Sequence, residues 1–599
     1  MPYTISRPLK DKERKELSEF SDLTAHLLFH RGISDNETAH EFISPDYENG
    51  NHDPFLLKDA QKAAARVIQA IKNDERIVVY ADYDADGIPG AAIFNDFFKR
   101  IGFKNYTIYI PHRHNEGFGL NEEAVVRLAT NEKVKLIITV DCGITDVVPA
   151  DKAAELGVDL IITDHHEPPP ILPKAFAIID HKQADCNYPD KNICGSAVAF
   201  KFIQAILKID RFGLKEGHEK WLLDLVGIAT MSDMVPLIGE NRIFASYGLS
   251  VLRKSPRKGI MQLLRKLNID QRFLTEDDVA FMLTPRINAA SRMGLPMDAF
   301  SLLAADNDVD ANFFADHLDK INNERKGIVA SLVKEVKKIV HERHSENMPR
   351  VIVLGNPLWR PSLLGLVANS CAEEFNRPVF LWGRDGDNSI KGSCRSEGKT
   401  SVVALMRNVP AGIFSQFGGH HHSGGFAVSN EQIHYLELKL NKAAEIIQNL
   451  ATELENAKVG APNLEDAEDL NEPNSDKIDA ELTVDAVDDE LSKEINKLAP
   501  FGVGNPKPVF LFKGVIPMTS RTFGKGNDHV ELTFKKSNGN KLSAICFFGA
   551  GKEWVKKTLN KKAIDLIASV EKSMYRGRAE LRLRIVDVVK RGKDDSMMV

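Results

Sequence analysis

The stretch Ile77–Gly90, IVVYADYDADGIPG, limits the folds open to this chain more than any other. Ile77, Val78, Val79 and Tyr80 form a β-branched and aromatic run that reads as a buried strand, and Gly87, Pro89 and Gly90 lead toward a helix. Between them stand Asp82, Asp84 and Asp86. Three carboxylates on alternate positions, where a strand runs out, repel one another unless cations neutralise them, which suggests a cradle for divalent metal. Taken alone, the stretch fits a solvated acidic turn equally well, because Asp and Gly are common turn residues.

The next hundred residues repeat the pattern. Strands are predicted over Ile77–Ala81, Thr107–Ile110, Lys135–Val140, Val158–Thr163 and Ala175–Ile179, with helices over Ala91–Arg100, Glu122–Thr130 and Val147–Leu156. Such alternation predicts an α/β fold whose parallel sheet is covered on both faces. The third strand ends in Asp141, the fourth in Asp164, His165 and His166, and the fifth in Asp180 and His181. Ligands of open α/β sheets gather outside the carboxyl ends of the strands, so these groups should converge on one crevice. That raises the metal reading above the turn reading. Asp and His without Cys suit Mn²⁺ or Mg²⁺. The six cysteines (Cys142, Cys186, Cys194, Cys371, Cys394 and Cys546) show no CxxC spacing, which argues against structural zinc and against a disulfide framework.

At 599 residues the chain exceeds one core and should form about three or four domains. Residues 1–75 read as a helical cap, clearest in Ala60–Ile71. Residues 309–340 carry a helical pattern of roughly 30 residues, about 45 Å long, that would bridge two globular units. A second α/β segment follows over 350–450, with strands at 350–355 and 378–383 and a helix at Pro361–Phe375. Residues 455–480 are acidic and free of aromatics, as expected of a linker. The tail, 500–599, has short strand candidates at Val509–Phe512, His529–Phe534, Leu542–Phe547, Ala563–Ser569 and Leu581–Val588. They are interleaved with cations, among them Lys525, Arg576 and Arg578, and with the aromatics Phe523, Phe547, Phe548 and Tyr575. This pattern suits a β-barrel of the OB type that stacks bases and tracks a backbone. A net charge of −6 gives no global basic signature, so nucleic-acid binding would need such local positive surface. The reduced cysteines, and the lack of a leader-like or membrane-spanning apolar run, lead us to expect a cytoplasmic protein with no membrane contact.

DYDADG at 82–87, VDCG at 140–143, TDHH at 163–166 and SDMVPLIGENR at 232–242 resemble the four successive motifs of the DHH phosphoesterase superfamily, in the form of its RecJ branch. The resemblance covers nearly the whole chain. It implies an N-terminal cap (1–75), a DHH catalytic domain (76–308), a connecting helix (309–345), a DHH-associated substrate-binding domain (346–454), the acidic linker (455–480) and an OB-type domain (481–599). It also adds Asp233 to the metal ligands, although that residue's own surroundings read as a helix-terminal cap. The implied set is Asp82, Asp84, Asp86, Asp141, His165 and Asp233 around two Mn²⁺ or Mg²⁺ ions about 3.5–4 Å apart. Asp141 or Asp84 would bridge the ions. The implied catalytic residues are Asp84, Asp141, Asp164, His165 and His166, with Asp164 and His166 orienting ligands or touching the scissile phosphate.

PHRHNEGFGL at 111–120 resembles a segment whose Arg, here Arg113, holds nucleic acid, and PRINAASR at 285–292 resembles PRINAAGR, with Arg286 and Arg292 set to meet phosphate. KGSCRS at 391–396 and FGGHHHSGG at 417–425 resemble phosphate-gripping and Gly-rich motifs, which implies that Ser393 and Arg395 recognise the 5′-terminal phosphate in a pocket shared with Arg113 and Arg286, with His420 also in the substrate-binding set. The segment WRPSLLGL at 359–366 departs from the usual WHPGVVGI at Arg360 and Ser362. The resemblance implies a 5′→3′ exonuclease that degrades single-stranded DNA to 5′-mononucleotides in recombination and repair. It would be a monomer, with a single-strand-binding protein and a helicase as candidate partners. Motif spacing alone gives only metal-assisted phosphoester hydrolysis. Three alternatives stay open: a phosphodiesterase for short RNA, cyclic dinucleotides or pyrophosphate, a non-catalytic single-strand-binding scaffold, and an RNA-directed exonuclease.

Overall fold

Five parallel strands form the first sheet: β1 (Ile77–Ala81), β2 (Tyr106–Tyr109), β3 (Leu136–Val140), β4 (Asp159–Thr163) and β5 (Ala177–Ile179), paired in the order β2-β1-β3-β4-β5. Every residue of β1 and β3 is buried, as expected of a parallel sheet covered on both faces. The register sets Ala81 beside Val140, Val140 beside Thr163, and Thr163 beside Ile179. The ladder continues one residue beyond the strands, through Asp82 N–H to Val140 O (3.0 Å), Asp141 N–H to Thr163 O (2.9 Å) and Asp164 N–H to Ile179 O (3.2 Å). Four aspartates, Asp82, Asp141, Asp164 and Asp180, therefore follow directly on four adjacent strands.

The computed structural model describes residues 3–344, 347–384, 389–398, 400–419, 421–458, 477–524, 526–552, 554–555, 562–573 and 580–589. One face of the first sheet packs on α2 (Glu122–Thr130) and α3 (Val147–Glu155) through Val78, Tyr80, Ile137 and Ile162 against Val125, Leu128, Ala150 and Ala153. Helices α1 (Gly87–Arg100) and α4 (Gly195–Ile209) pack against each other, with Phe94 and Phe202 edge to face at 6.1 Å. Helix α1 begins at Gly87, four residues before the expected start. Pro89 falls in its first turn, where the missing N–H costs nothing. α5 (Leu223–Ser232) and α6 (Lys258–Lys266) follow, and the buried Arg257 ties them to α1. Its Nη2 lies 2.9 Å from Asp96 and its Nε 3.1 Å from Asp224, while Nη1 donates to Leu303 O.

The long connector exists as α8 (Asp308–Arg343), preceded by α7 (Thr284–Met293). Its N-terminal half buries Ala311, Ala315, Leu318 and Ile321 against α6 and α7. Its C-terminal half buries Val336 and Val340 in the core of a second sheet. That sheet runs β9 (Phe414–Gly419), β10 (Ser423–Val428), β8 (Ile390–Arg395), β7 (Val379–Arg384) and β6 (Ile352–Gly355), packed on α9 (Pro361–Phe375). KGSCRS lies on an inner strand and FGG/SGG form a hairpin beside it, pairing Ser393 with Gly425 and Arg395 with Ser423.

These elements belong to one compact unit, Pro54–Asp233 with Val251–Ala467. A second unit gathers Met1–Asp53, Met234–Ser250 and Glu468–Val599. Its sheet has seven strands, β11 (Ala480–Glu481), β12 (Phe510–Val515), β13 (Thr519–Phe523), β14 (His529–Lys535), β15 (Lys541–Cys546), β16 (Ile564–Ser573) and β17 (Glu580–Val589), ordered β11-β12-β16-β17-β15-β14-β13. β13 escaped the sequence reading. Among the described residues no ladder joins β11 to β13. Phe510, Phe512, Leu532, Phe534 and Leu566 fill the core, and Thr4–Ile5 pairs in parallel with Lys477–Ile478. Arg242 stacks 3.6 Å over Phe42 and donates from Nη2 to Leu498 O and Ala499 O at 3.0 Å, joining all three chain segments of this unit. The expected linker is helical up to Lys458 and enters strands at Lys477 and Ala480; its residues 459–476, with Lys525, Tyr575, Arg576 and Arg578, lie outside the described residues. No described helix is long and apolar enough to cross a membrane.

Replacing Arg257 by Met leaves the buried Asp224 and the partly buried Asp96 without their cation, and should lower unfolding free energy by about 3–5 kcal/mol in urea titration. An unchanged midpoint would show that this ion triad contributes nothing to holding the helices together.

Candidate metal centre

Asp84 and Asp86, at the carboxyl edge of the first sheet, are held by backbone N–H groups. Asp84 Oδ1 accepts from Asp86 N–H (2.8 Å) and Gly87 N–H (3.2 Å) and so caps α1. Asp86 accepts from Gly195 N–H (2.6 Å) and Ser196 N–H (2.7 Å), the buried donors at the start of α4. Asp141 sits in the left-handed region (φ 62°), uncommon for a residue with a Cβ. Gly195 permits that placement: a Cβ there would lie 2.6 Å from Asp141 Cβ and 2.9 Å from its Cα. Gly87 is equally constrained, since its Cβ would lie 2.4 Å from Asp82 O.

The candidate ligands converge. His165 Nε2 lies 3.1 Å from Asp141 Oδ1, and 3.8 Å from both Asp86 Oδ2 and Asp233 Oδ2. Three sets of potential ligand atoms fall within 4.8 Å of one another: Asp82, Asp84 and Asp141; Asp86, His165 and Asp233; and Asp141, His165 and His166. All six sequence-derived metal residues are present, and the structure adds His166 as a candidate seventh ligand. Asp82 Oδ1 and Asp141 Oδ1 are buried and accept no hydrogen bond. Buried anionic oxygens without donors are costly unless a cation meets them, so this donor set fits hard divalent metal.

Electrostatics agree. Burial, then repulsion from Asp84, pushes the Asp82 carboxyl well above its usual range and Asp86 up to about 6. Burial and the neighbouring carboxylates lift Asp141 well above that range and Asp233 to about 8. Burial, reinforced by His166, drives His165 down to about 3, leaving a neutral imidazole able to ligate. His166 behaves oppositely: burial pushes it down, but the Asp164 carboxylate 2.7 Å from its Nδ1 outweighs that and holds it at about 9. Asp164 also accepts from the N–H groups of Ile144 (2.9 Å) and His165 (2.7 Å), so it anchors the histidine pair. Asp180 is pushed up by burial to about 7 and joins none of the three ligand sets. His181 turns away from the expected crevice, its Nε2 2.9 Å from Ile193 O in the protein interior.

A cationic cluster accompanies the acids. The Arg113 guanidinium lies 4.8 Å over the Tyr83 ring. Arg292 is partly buried, and desolvation together with Arg113, Arg325 and Arg395 pushes its guanidinium down to about 9 against the opposing pull of Asp84, the mark of crowded cations. Arg292 Nη1 donates to Ser362 O (2.8 Å) and Ser362 Oγ donates to Arg292 O (3.1 Å). Ser362, one of the two departures in WRPSLLGL, thus secures Arg292 to the start of α9. Gly365 makes room for Arg395, whose Nη2 would lie 3.0 Å from a Cβ there, with Ser393 Oγ at 3.6 Å. Arg286 differs from the phosphate contact expected of it: its guanidinium is taken up by Asp319 (2.9 Å) and Met282 O (2.8 Å). Arg325, on α8, escaped the sequence reading because a cation in NNERKG looks like any solvated helix face. His420 lies outside the described residues.

A parallel sheet with aspartate and histidine at its carboxyl edge, continued by a long helix into a second sheet that brings arginine, defines a metal-dependent phosphoesterase of the DHH class. Residues 76–230 match the DHH family, N-terminal domain, residues 349–455 the DHHA1 domain, and residues 478–587 the RecJ OB domain. The single-stranded-DNA-specific exonuclease RecJ of Bacillus subtilis is 34% identical over 550 residues, covering 91% of this chain and 66% of that protein. Its Escherichia coli counterpart is 32% identical over 439 residues, covering 70% of this chain and 75% of the other. The crystal structure of RecJ from Thermus thermophilus in complex with Mn²⁺ superposes with a TM-score of 0.76 at 25% identity, covering 98% of this chain and 79% of the other. The chain belongs to the RecJ family.

Gly195→Val forces Asp141 from its position and should weaken divalent-cation binding about tenfold or more by isothermal titration calorimetry, with thermal melting as the folding control. Unaltered affinity in a folded variant would remove Asp141 from the ligand set.

Proposed function

We propose that this chain is a two-metal-dependent exonuclease that degrades single-stranded DNA from its 5′ end, releasing 5′-mononucleotides, in DNA recombination and repair. The observation that carries this reading is the pairing of donor-less buried oxygens on Asp82 and Asp141 with a cluster in which Arg113, Arg325 and Arg395 crowd Arg292. Asp82, Asp84, Asp86, Asp141, His165 and Asp233 hold Mn²⁺ or Mg²⁺, which when bound supplies an acidified water and neutralises charge gathering on the phosphoryl oxygens. In the hydrolysis, an O–P bond forms from water and the P–O3′ bond breaks, leaving a 5′-mononucleotide and a strand shortened by one residue.

The chain's own groups divide the remaining work. Asp164 fixes both histidines through three bonds, to His165 N–H, His166 N–H and His166 Nδ1. His166, its Nδ1 held by Asp164, presents its other ring nitrogen to a non-bridging phosphate oxygen. Arg113, Arg292, Ser393 and Arg395 grip the terminal 5′-phosphate and so set the direction of attack, while Arg286 braces α7 against α8. In this plan residues 76–308 carry the chemistry, 346–454 grip the strand end, and 481–599 track the unpaired backbone. Such a substrate calls for a helicase to expose it and a single-strand-binding protein to keep it open, with the enzyme acting as a cytoplasmic monomer.

Strands labelled at either end test the direction: with Mn²⁺ or Mg²⁺, the 5′ label should appear at once as mononucleotide and the 3′ label should stay on long products. Chelator or Asp141→Ala should reduce cleavage to background. Early release of the 3′ label, or unchanged cleavage by Asp141→Ala, overturns the reading. Arg395→Ala should raise KM by about 10- to 100-fold for 5′-phosphorylated strands and leave 5′-hydroxyl strands unaffected. An equal loss on both would deny Arg395 a role in phosphate recognition.

A further inference from the structure

Helix α7 carries Thr284, Asn288 and Arg292 at four-residue spacing, which places them on one face of the helix. Each meets a different part of the catalytic unit. Thr284 Oγ1 shares a hydrogen bond of 2.5 Å with Ser232 Oγ, and Ser232 directly precedes the candidate ligand Asp233. Asn288 Oδ1 accepts from Ala85 N–H at 2.9 Å, and Ala85 stands between the candidate ligands Asp84 and Asp86. Arg292, one turn further on, lies in the arginine cluster within the field of Asp84, which draws its guanidinium back toward the charged form. One helix face therefore touches the metal centre at two points and the arginine cluster at a third.

The middle contact is secured from both sides. Ala85 is 2% exposed, so without the Asn288 amide its N–H would be left unsatisfied in the interior. Accepting from that N–H also settles which way the amide points, with its oxygen toward Ala85. On the helix itself, the buried Ser291 donates from Oγ to Asn288 O (3.3 Å), from the position where the related motif PRINAAGR has glycine. A π-helical turn over Val279–Leu283, of a kind that is rare and recurs at functional sites, leads into α7, and Thr284 Oγ1 donates back to Val279 O (2.9 Å). Four residues of helix set Asn288 and Arg292 about 6 Å apart along the axis. That spacing is of the order of the separation between neighbouring phosphates in a single strand.

We propose that the face of α7 formed by Thr284, Asn288 and Arg292 is a ruler that sets the released product at one nucleotide. Asn288 is the positioning residue, holding the acidic turn at 84–86 one phosphate away from the arginine end. With the terminal 5′-phosphate docked on the arginines, the phosphodiester that reaches the metal centre is the first along the strand. An acidic turn free to shift against α7 would also admit the second phosphodiester, and the same attack of water on phosphorus, with loss of O3′, would then release a dinucleotide. The proposal rests on the exonuclease reading above and supplies the reason the cut falls after the first nucleotide.

Product length tests it, on a 5′-phosphorylated single strand labelled at its 5′ end and with Mn²⁺ at saturation. Wild-type enzyme should release the label as mononucleotide alone. Asn288→Ala removes the acceptor for Ala85 N–H and should release about a tenth or more of the label as dinucleotide. Asn288→Leu, closer in size and also without an acceptor, should do the same, and thermal melting identifies which of the two is folded. Asn288→Asp keeps an oxygen acceptor and should return the product to mononucleotide. Mononucleotide alone, or no cleavage, from a folded Asn288→Ala or Asn288→Leu, or dinucleotide persisting in Asn288→Asp, overturns the ruler and leaves the exonuclease reading intact. Wild-type inertness toward the strand overturns the exonuclease reading and the ruler with it.

Discussion

Carboxylates forced together out of water are the constraint on which the catalytic unit is built. Asp82, Asp86, Asp141 and Asp233 are crowded near His165, and burial with mutual repulsion lifts all four out of the ordinary carboxylate range. No polypeptide gathers such charge for stability's sake, because each buried anion opposes folding unless something positive meets it. The fold contributes partial positive charge where backbone can supply it. The first N–H groups of α4 meet Asp86 and those of α1 meet Asp84, leaving Asp82 Oδ1 and Asp141 Oδ1 as the places where only an external cation can complete the balance.

The same logic, with signs reversed, governs the arginines. Arg292 is partly buried beside three other guanidinium groups and is held there by hydrogen bonds to Ser362 at the start of α9. Two sites of opposite unbalanced charge, one set by the first sheet and one shared with the second, complement a phosphodiester and its neighbouring phosphate. The long helix α8 maintains their spacing by burying its two halves in different cores.

Much of this was legible in the sequence where one physical rule dominated. Alternating apolar runs gave the five parallel strands to within about two residues, because a sheet buried on both faces admits little else. Strand-end chemistry then pointed to Asp82, Asp84, Asp86, Asp141, Asp164, His165 and His166, together with Asp180 and His181, and the family resemblance narrowed that set. Asp233 needed family resemblance, since it follows α5 with a helix-capping appearance and reaches the cluster only through tertiary folding. His181 and Arg286 misled for a related reason: residue type shows what a side chain can do, while its partner, Ile193 O in one case and Asp319 in the other, is settled by packing. Strand β13 was missed because TSRTF alternates polar residues and lies at the open edge of its sheet, with no apolar period to betray it. Asn288 stood inside a quoted motif, yet nothing in PRINAASR tells that its side chain meets Ala85.

The unit that contains the seven-stranded sheet is assembled from three separated stretches of chain, with Arg242 at their junction and Thr4–Ile5 paired to Lys477–Ile478. During synthesis on the ribosome, Thr4–Ile5 and the rest of Met1–Asp53 emerge hundreds of residues before their partners exist. The metal-binding unit can close earlier, once residue 467 is out. Birth order thus gives this molecule a maturation sequence in which the nucleolytic half is finished before the half bearing the OB-type sheet, whose early helices must wait, unsheltered, for the final quarter of the polypeptide.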